Sequence, residues 1–301
     1  MDRVRKDSEE WELSPSGIFI RARNIADISA YSKMSYLDAR RKAEKIEELY
    51  SRYKITIPKE TYLAHIINNA KNVWGRYVLN ELEMKMAFDF VHFDRIASAI
   101  IPLSDEPDPS AYLKRLLRGT LDFFEREESE AKNILWELEV WSKLKRAMSN
   151  VYLQEPDILL DFGTSKIGIA CKKIYSLNNV SNTLSKAFYQ TKSSGELGII
   201  SMNIDDLTPK DSIVHTKNFE EMTHKLLQHN NKFITTNERH FKKYLSQGRV
   251  IGVLVSTTMI AAIDEATTRI NNASQWTIWT MPGISEECDR LATHVYHLVM
   301  G

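Results

Sequence analysis

The stretch that decides the fold is EPDILLDFGTSKIGIACKK, which runs from Glu155 to Lys173. Within it, Asp157–Phe162 and Ile167–Ile174 are apolar, strand-like runs, and Gly163-Thr-Ser-Lys166 between them has the composition of a hairpin turn. Side chains alternate faces along a strand, so Ala170 and Lys172 project on the same side. Working outward, Asn150–Leu153 reads as another strand. Before it, residues 111–149 read as helical, with Trp136, Val140, Trp141 and Leu144 forming an apolar stripe. After the hairpin a helix is expected over Val180–Lys192 and a strand over Gly198–Ile204, which gives the order α-β-β-β-α-β. A polar helical stretch (Phe219–Leu245), two strands (Val250–Ser256 and Trp276–Thr280) and a closing helix (Glu286–Val299) are appended.

The N-terminal part has a different texture. From Ser35 to Ile101 the pattern is helical. Ser35 and Asp38 form a capping box ahead of Ala39, Ala43, Ile46, Leu49, Tyr50 and Tyr53. Pro58 suits the first turn of a second helix carrying Leu63, Ile66, Ile67 and Ala70. A third helix is expected through Val78, Leu82, Met86 and Phe90. The acidic, proline-rich segment Pro102–Pro109 reads as a linker. These features divide the chain into a mostly helical region, 1–110, suited to dimerisation or partner docking, and an α/β domain, 111–301.

Forty basic side chains balance forty acidic ones, so any surface for nucleic acid must come from local segregation of charge. The two cysteines, Cys171 and Cys288, argue against a disulfide framework or a cysteine-based zinc site and for a reducing cytoplasm. The charged Met1–Leu13 segment lacks the apolar core of a signal peptide, and no apolar run is long enough to span a membrane.

Pro156-Asp157 on the second strand, Lys172 on the third and Glu137 on the preceding helix together resemble the PD-(D/E)XK nuclease superfamily, over about residues 131–205. The resemblance implies an α/β fold with a restriction-endonuclease-like αβββαβ core and a Mg2+-dependent (or Mn2+-dependent) deoxyribonuclease. Phosphodiester hydrolysis uses a divalent cation to stabilise phosphate charge and ionise a water, and magnesium needs only one or two carboxylates. The family implies Asp157 and the Cys171 backbone carbonyl as metal ligands, and Lys172 orienting the water or stabilising the phosphorane. Glu137 could reach the same site from its helix.

The sequence departs from the family at Ala170, where an acid is expected. Three explanations compete: an acid replaced to inactivate the enzyme, an acid recruited elsewhere (Glu137 or Glu139), or a degenerate core that only binds nucleic acid. Asp161 lies roughly 13 Å along the strand from Asp157 and is a poor substitute. The helix Val180–Lys192 offers no Asp or Glu. Gln190 is expected near the site, and Lys173, Ser176, Lys186 and Lys192 are candidate nucleic-acid contacts, with Tyr175 also lining the groove. Surface or packing roles are expected for His294 and His297, and packing for Trp74, Trp136 and Trp141.

The leading expectation is therefore a DNA endonuclease subunit, by analogy one that defends against foreign DNA. A homodimer or hetero-complex would suit double-strand cutting. Any helicase or ATPase function must come from a partner protein, because no GxxxxGK[ST] run occurs. The alternatives are a non-catalytic DNA-binding or assembly protein on a degenerate core, and a protein–protein adaptor built on the N-terminal helices.

Overall fold

The computed structural model describes residues 3–6, 9–13, 19–22, 36–72, 84–194, 196–210, 212–266 and 271–300. The expected hairpin is present. Strands β4 (Val151–Gln154), β5 (Asp157–Asp161) and β6 (Lys166–Lys173) run antiparallel in sequence, with Ile158 opposite Ile169. Helix α6 (Val180–Ser194) then returns the chain so that β7 (Leu197–Asn203) pairs parallel with β6. Beyond β7, strand β9 (Val250–Ile263) is parallel to it, and β10 (Asn271–Trp279) is antiparallel to β9. Strand β8 (Ile213–Thr216) adds to the far end of β9.

Three N-terminal strands, β1 (Arg3–Lys6), β2 (Glu9–Leu13) and β3 (Phe19–Ala22), extend the sheet, with β3 paired to β10. Their charged sequences carry no clear strand signal, and the reading of the first 110 residues as mostly helical missed them. Helices α1 (Tyr36–Arg52), α2 (Tyr62–Asn72) and α3 (Met84–Ile100) follow. Helix α2 begins at Tyr62 rather than at Pro58, because the Thr61 hydroxyl caps the Ala64 N–H at 3.2 Å. Val78, Leu82 and Trp74 lie outside the described residues.

Residues 111–149 are two helices rather than one. Helix α4 (Ser110–Arg115) stops, and α5 (Glu130–Ala147) starts at Ser129, whose hydroxyl caps Lys132 N and bonds the Thr120 carbonyl at 2.7 Å. Gly119 makes the turn possible. Its φ is +94°, and a Cβ there would come 2.8 Å from Ser129 Oγ.

Strand alternation sorts the core into two layers. Ile158, Leu160, Ile167, Ile169 and Cys171 face α5 and α8 (Glu286–Met300). On the other face Ala170, Ile200, Met202 and Val253 meet α6 and α7 (Phe219–Leu245). The chain is thus a mixed α/β protein with helices on both faces of a mixed sheet. Ile46, Leu63 and Phe93 of α1–α3 belong to the same apolar cluster as Trp141 and Ile158, so the core continues across the boundary expected near residue 110. Within the segment read as a linker, the 3-10 turn Ile101–Asp105 has Leu103 fully buried. Among the described residues no helix is long and apolar enough to cross a membrane.

Candidate functional site

Asp157 opens β5 beside the end of β6, and the sequence fixes that approach. The Glu155–Pro156 peptide is cis, and the Pro156 ring packs over Gly168, where a Cβ would lie 2.7 Å from the proline Cδ. Asp157 Oδ2 accepts from the Cys171 N–H at 2.7 Å and from Lys172 Nζ at 3.1 Å. Oδ1 accepts from Gln190 Nε2 of α6 at 2.8 Å. Gln190 also donates to the Pro156 carbonyl and, at 3.2 Å, to Glu155. The structure therefore brings Asp157, Lys172, Gln190 and the Cys171 peptide together.

Glu137 reaches the same place from α5. It is buried, with Arg115 Nη1 4.0 Å from its carboxylate. Burial, with the nearby charge of Asp157, pushes the Glu137 carboxyl up to about 8, against the opposing pull of Arg115 and Lys172. Asp157 is also raised, because its burial outweighs the Lys172 ammonium and its hydrogen bonds. Both carboxyls are held above their ordinary range chiefly by burial, which the Lys172 ammonium and the Arg115 guanidinium only partly offset.

The raised Glu137 carboxyl has a measurable consequence. A carboxyl raised on folding contributes stability that is complete below its unfolded value and is lost as pH rises through the folded one. Glu137→Gln is expected to be neutral near pH 5 in EDTA and stabilising at pH 8, with a slope of at most about 1.4 kcal/mol per pH unit between. Thermal melts of both proteins at the two pH values check this, and parallel curves contradict it.

Ala170 stands on the Asp157 side of β6 but is fully buried, in the same apolar cluster as Val180, Leu184 and Phe188 of α6. Its surroundings are apolar. Among the described residues no group of three or more His, Cys, Asp or Glu is arranged to hold a metal ion. Asp157 and Glu137 are two carboxyls near enough for each to feel the other's charge.

Lys173 corrects an expectation. It points to the opposite face from Lys172 and is buried, with Nζ 2.7 Å from Asn203 Oδ1 and 2.5 Å from Asp206 Oδ2, so it cannot meet phosphates. Tyr175 is turned away likewise, its hydroxyl bonded to Asn133 and to the Ser129 carbonyl at the start of α5. Ser176, Lys186 and Lys192 are exposed. Asp161 closes the hairpin turn through the Gly163 N–H and Lys166, away from the site. His294 packs on Phe162 and His297 on Tyr296, while Trp136 and Trp141 are buried in the core.

Sequence reasoning missed a second polar centre, at the C-terminal ends of β6 and β7. Arg95 of α3 forms a two-pronged pair with Glu139 and meets Asp205 Oδ2 at 2.7 Å. Arg126 donates to the Asp205 carbonyl at 2.8 Å, and the Thr258 N–H donates to Asp205 Oδ1 at 2.7 Å. Glu139 is committed to this network and does not serve the Asp157 site. The signal available was Asp205-Asp206, two acids directly after an apolar strand. Burial lifts Asp205, but Arg95 and Lys173 outweigh it and hold the carboxyl below its ordinary value. No family model matches the chain, and neither a curated protein nor a solved structure matches it.

Proposed function

We propose that the Asp157 site hydrolyses phosphodiester bonds in DNA with a divalent cation, on a restriction-endonuclease-like core of the PD-(D/E)XK type. The observation that carries this reading is convergence on one carboxylate: Lys172 and the Cys171 N–H from β6, Gln190 from α6 and buried Glu137 from α5. The order α5-β4-β5-β6-α6-β7 supports the same core. Asp157 and Glu137 would hold Mg2+, which supplies Lewis-acid stabilisation of phosphate charge and a more acidic water when bound. A cation there would offset the burial cost that raises both carboxyls.

The chain's own residues have separate tasks. Lys172 Nζ, on the rim of the site, is placed to neutralise charge that builds on the phosphate oxygens. Gln190 steers the Asp157 carboxylate through Oδ1 and would have to release that oxygen were a cation held there. Glu137, whose carboxyl is raised by burial, would give up a proton more readily with a cation bound beside it. The apolar packing of Ala170 leaves Glu137 as the second acid of the site.

Incubation of the full chain with supercoiled plasmid and millimolar Mg2+ or Mn2+ tests the reading. Nicked or linear product that EDTA abolishes is the expected result. The buried methyl of Ala170 favours a second reading, a core that binds DNA without cutting it. Salt-dependent DNA binding with no product under either metal would establish that one instead.

A further inference from the structure

Helix α6 carries more than Gln190. From Ile174 to Gly195 the sequence has no Asp or Glu, while Lys186 and Lys192 are exposed on the helix. Asn182, Lys186, Tyr189 and Ser193 recur at helical spacing and form its outward stripe. Tyr189 is 61% exposed, the most exposed large apolar side chain among the described residues. Its ring leans edge-on against buried Phe188 at 5.5 Å, which leaves the rest of the ring to solvent. Single exposed apolar residues are ordinary on protein surfaces, so exposure alone decides nothing. Position and charge distinguish this one. Tyr189 is the immediate neighbour of Gln190, whose amide touches Asp157, and its own helix carries no Asp or Glu, while the exposed Glu155 meets Gln190 at 3.2 Å from the β4–β5 turn.

We propose that α6 is a nucleic-acid-binding ridge of this site, on which Tyr189 stacks an unpaired base while Lys186 and Lys192 meet the flanking phosphates. The inference rests on the reading of Asp157 as a phosphodiester site and adds the class of substrate. In a duplex the base faces are stacked on one another and offer nothing to a protruding ring. A single-stranded or splayed nucleotide offers a face, and stacking on an aromatic side chain holds it without regard to sequence. The acid-free ridge supplies the cationic track that a single strand follows.

The test is fluorescence anisotropy of labelled oligo-dT and of a blunt duplex with the full chain, at low salt in EDTA. Wild type should bind oligo-dT more tightly than the duplex. Tyr189→Ala should weaken oligo-dT binding on the order of tenfold, and Tyr189→Phe, which keeps the ring, should bind like wild type. Duplex binding and the melting temperature should not change in either variant. If Tyr189→Ala binds oligo-dT as wild type does, or if duplex is preferred, the ridge proposal is overturned while metal-dependent plasmid cleavage stands untouched. If wild type binds neither probe, the ridge is overturned, and metal-dependent plasmid cleavage alone decides the phosphodiester reading.

Discussion

With the Asp157 site acting as the proposed phosphodiesterase, replacing Lys172 by methionine is expected to slow metal-dependent cleavage at least about 100-fold while the protein still folds. The Lys172 ammonium lies 3.1 Å from Asp157 Oδ2 and is the cation closest to that carboxylate among the described residues. Charge on a phosphodiester grows towards the transition state, so a fixed positive donor at the rim lowers the barrier more than it tightens substrate binding. Methionine keeps the apolar stem and removes only the charge. Loss of the charge-assisted bond to a buried carboxylate costs about 1–3 kcal/mol of stability. Protonation of Asp157, already raised by burial, offsets part of that. The same hairpin supplies a control. Lys166 pairs with Asp161 at 3.6 Å, but its side chain is 46% exposed, so Lys166→Met should cost about 1 kcal/mol or less and leave cleavage unchanged. Single-turnover cleavage and circular dichroism of both variants decide the matter. Cutting by Lys172→Met at the wild-type rate would remove Lys172 from the reaction.

The parts of this molecule that were legible in the sequence are those set by local rules. The turn Gly163–Lys166 and the alternation on either side place β5 and β6 to within a residue, and α6 and α7 start where their apolar periodicity starts. The site inherits that clarity: Asp157 and Lys172 meet because the hairpin register brings them together. The same alternation rule separates Lys173 from Lys172 and would have excluded it as a phosphate contact.

What stayed hidden depends on partners far apart in the chain. Strand β9 was expected to end at Ser256, where its apolar run breaks into Ser-Thr-Thr. It continues to Ile263 because those polar groups have buried partners, Thr257 bonding Asn230 of α7 at 2.6 Å and Thr258 bonding Ser274 of β10 at 2.9 Å. The break between α4 and α5 is similar. Leu113, Leu116 and Leu121 remain buried on either side of the turn, so the apolar pattern does not reveal it, and Gly119 is its single mark. The pairing of Arg95 with Glu139 and of Arg126 with Asp206 spans 44 and 80 residues, and nothing local announces either one.

That network carries the largest expected loss of stability. Arg95→Met should destabilise the protein by about 3–5 kcal/mol, because it leaves Glu139 and Asp205 buried without their shared cation. The guanidinium is 14% exposed, and it also covers the Phe123 ring at 4.7 Å, a contact that methionine partly replaces. At roughly 2–4 °C per kcal/mol for a large domain, the melting temperature should fall by about 6–20 °C. Burial already raises Glu139 against the pull of Arg95, and removing the arginine raises it further. The sign of the pH dependence follows: protonated Glu139 is accommodated, so the variant's deficit should shrink towards acid pH and grow as pH rises. Asp205 keeps the Thr258 N–H and the nearby Lys173, so Glu139 is the more exposed to the loss. Adding Glu139→Gln to Arg95→Met should therefore recover part of the stability, a non-additivity that two neutral surface residues would not show. An Arg95→Met protein that melts with the wild type would mean that water, not the arginine, satisfies these carboxylates, and that the ends of β6 and β7 are open to solvent.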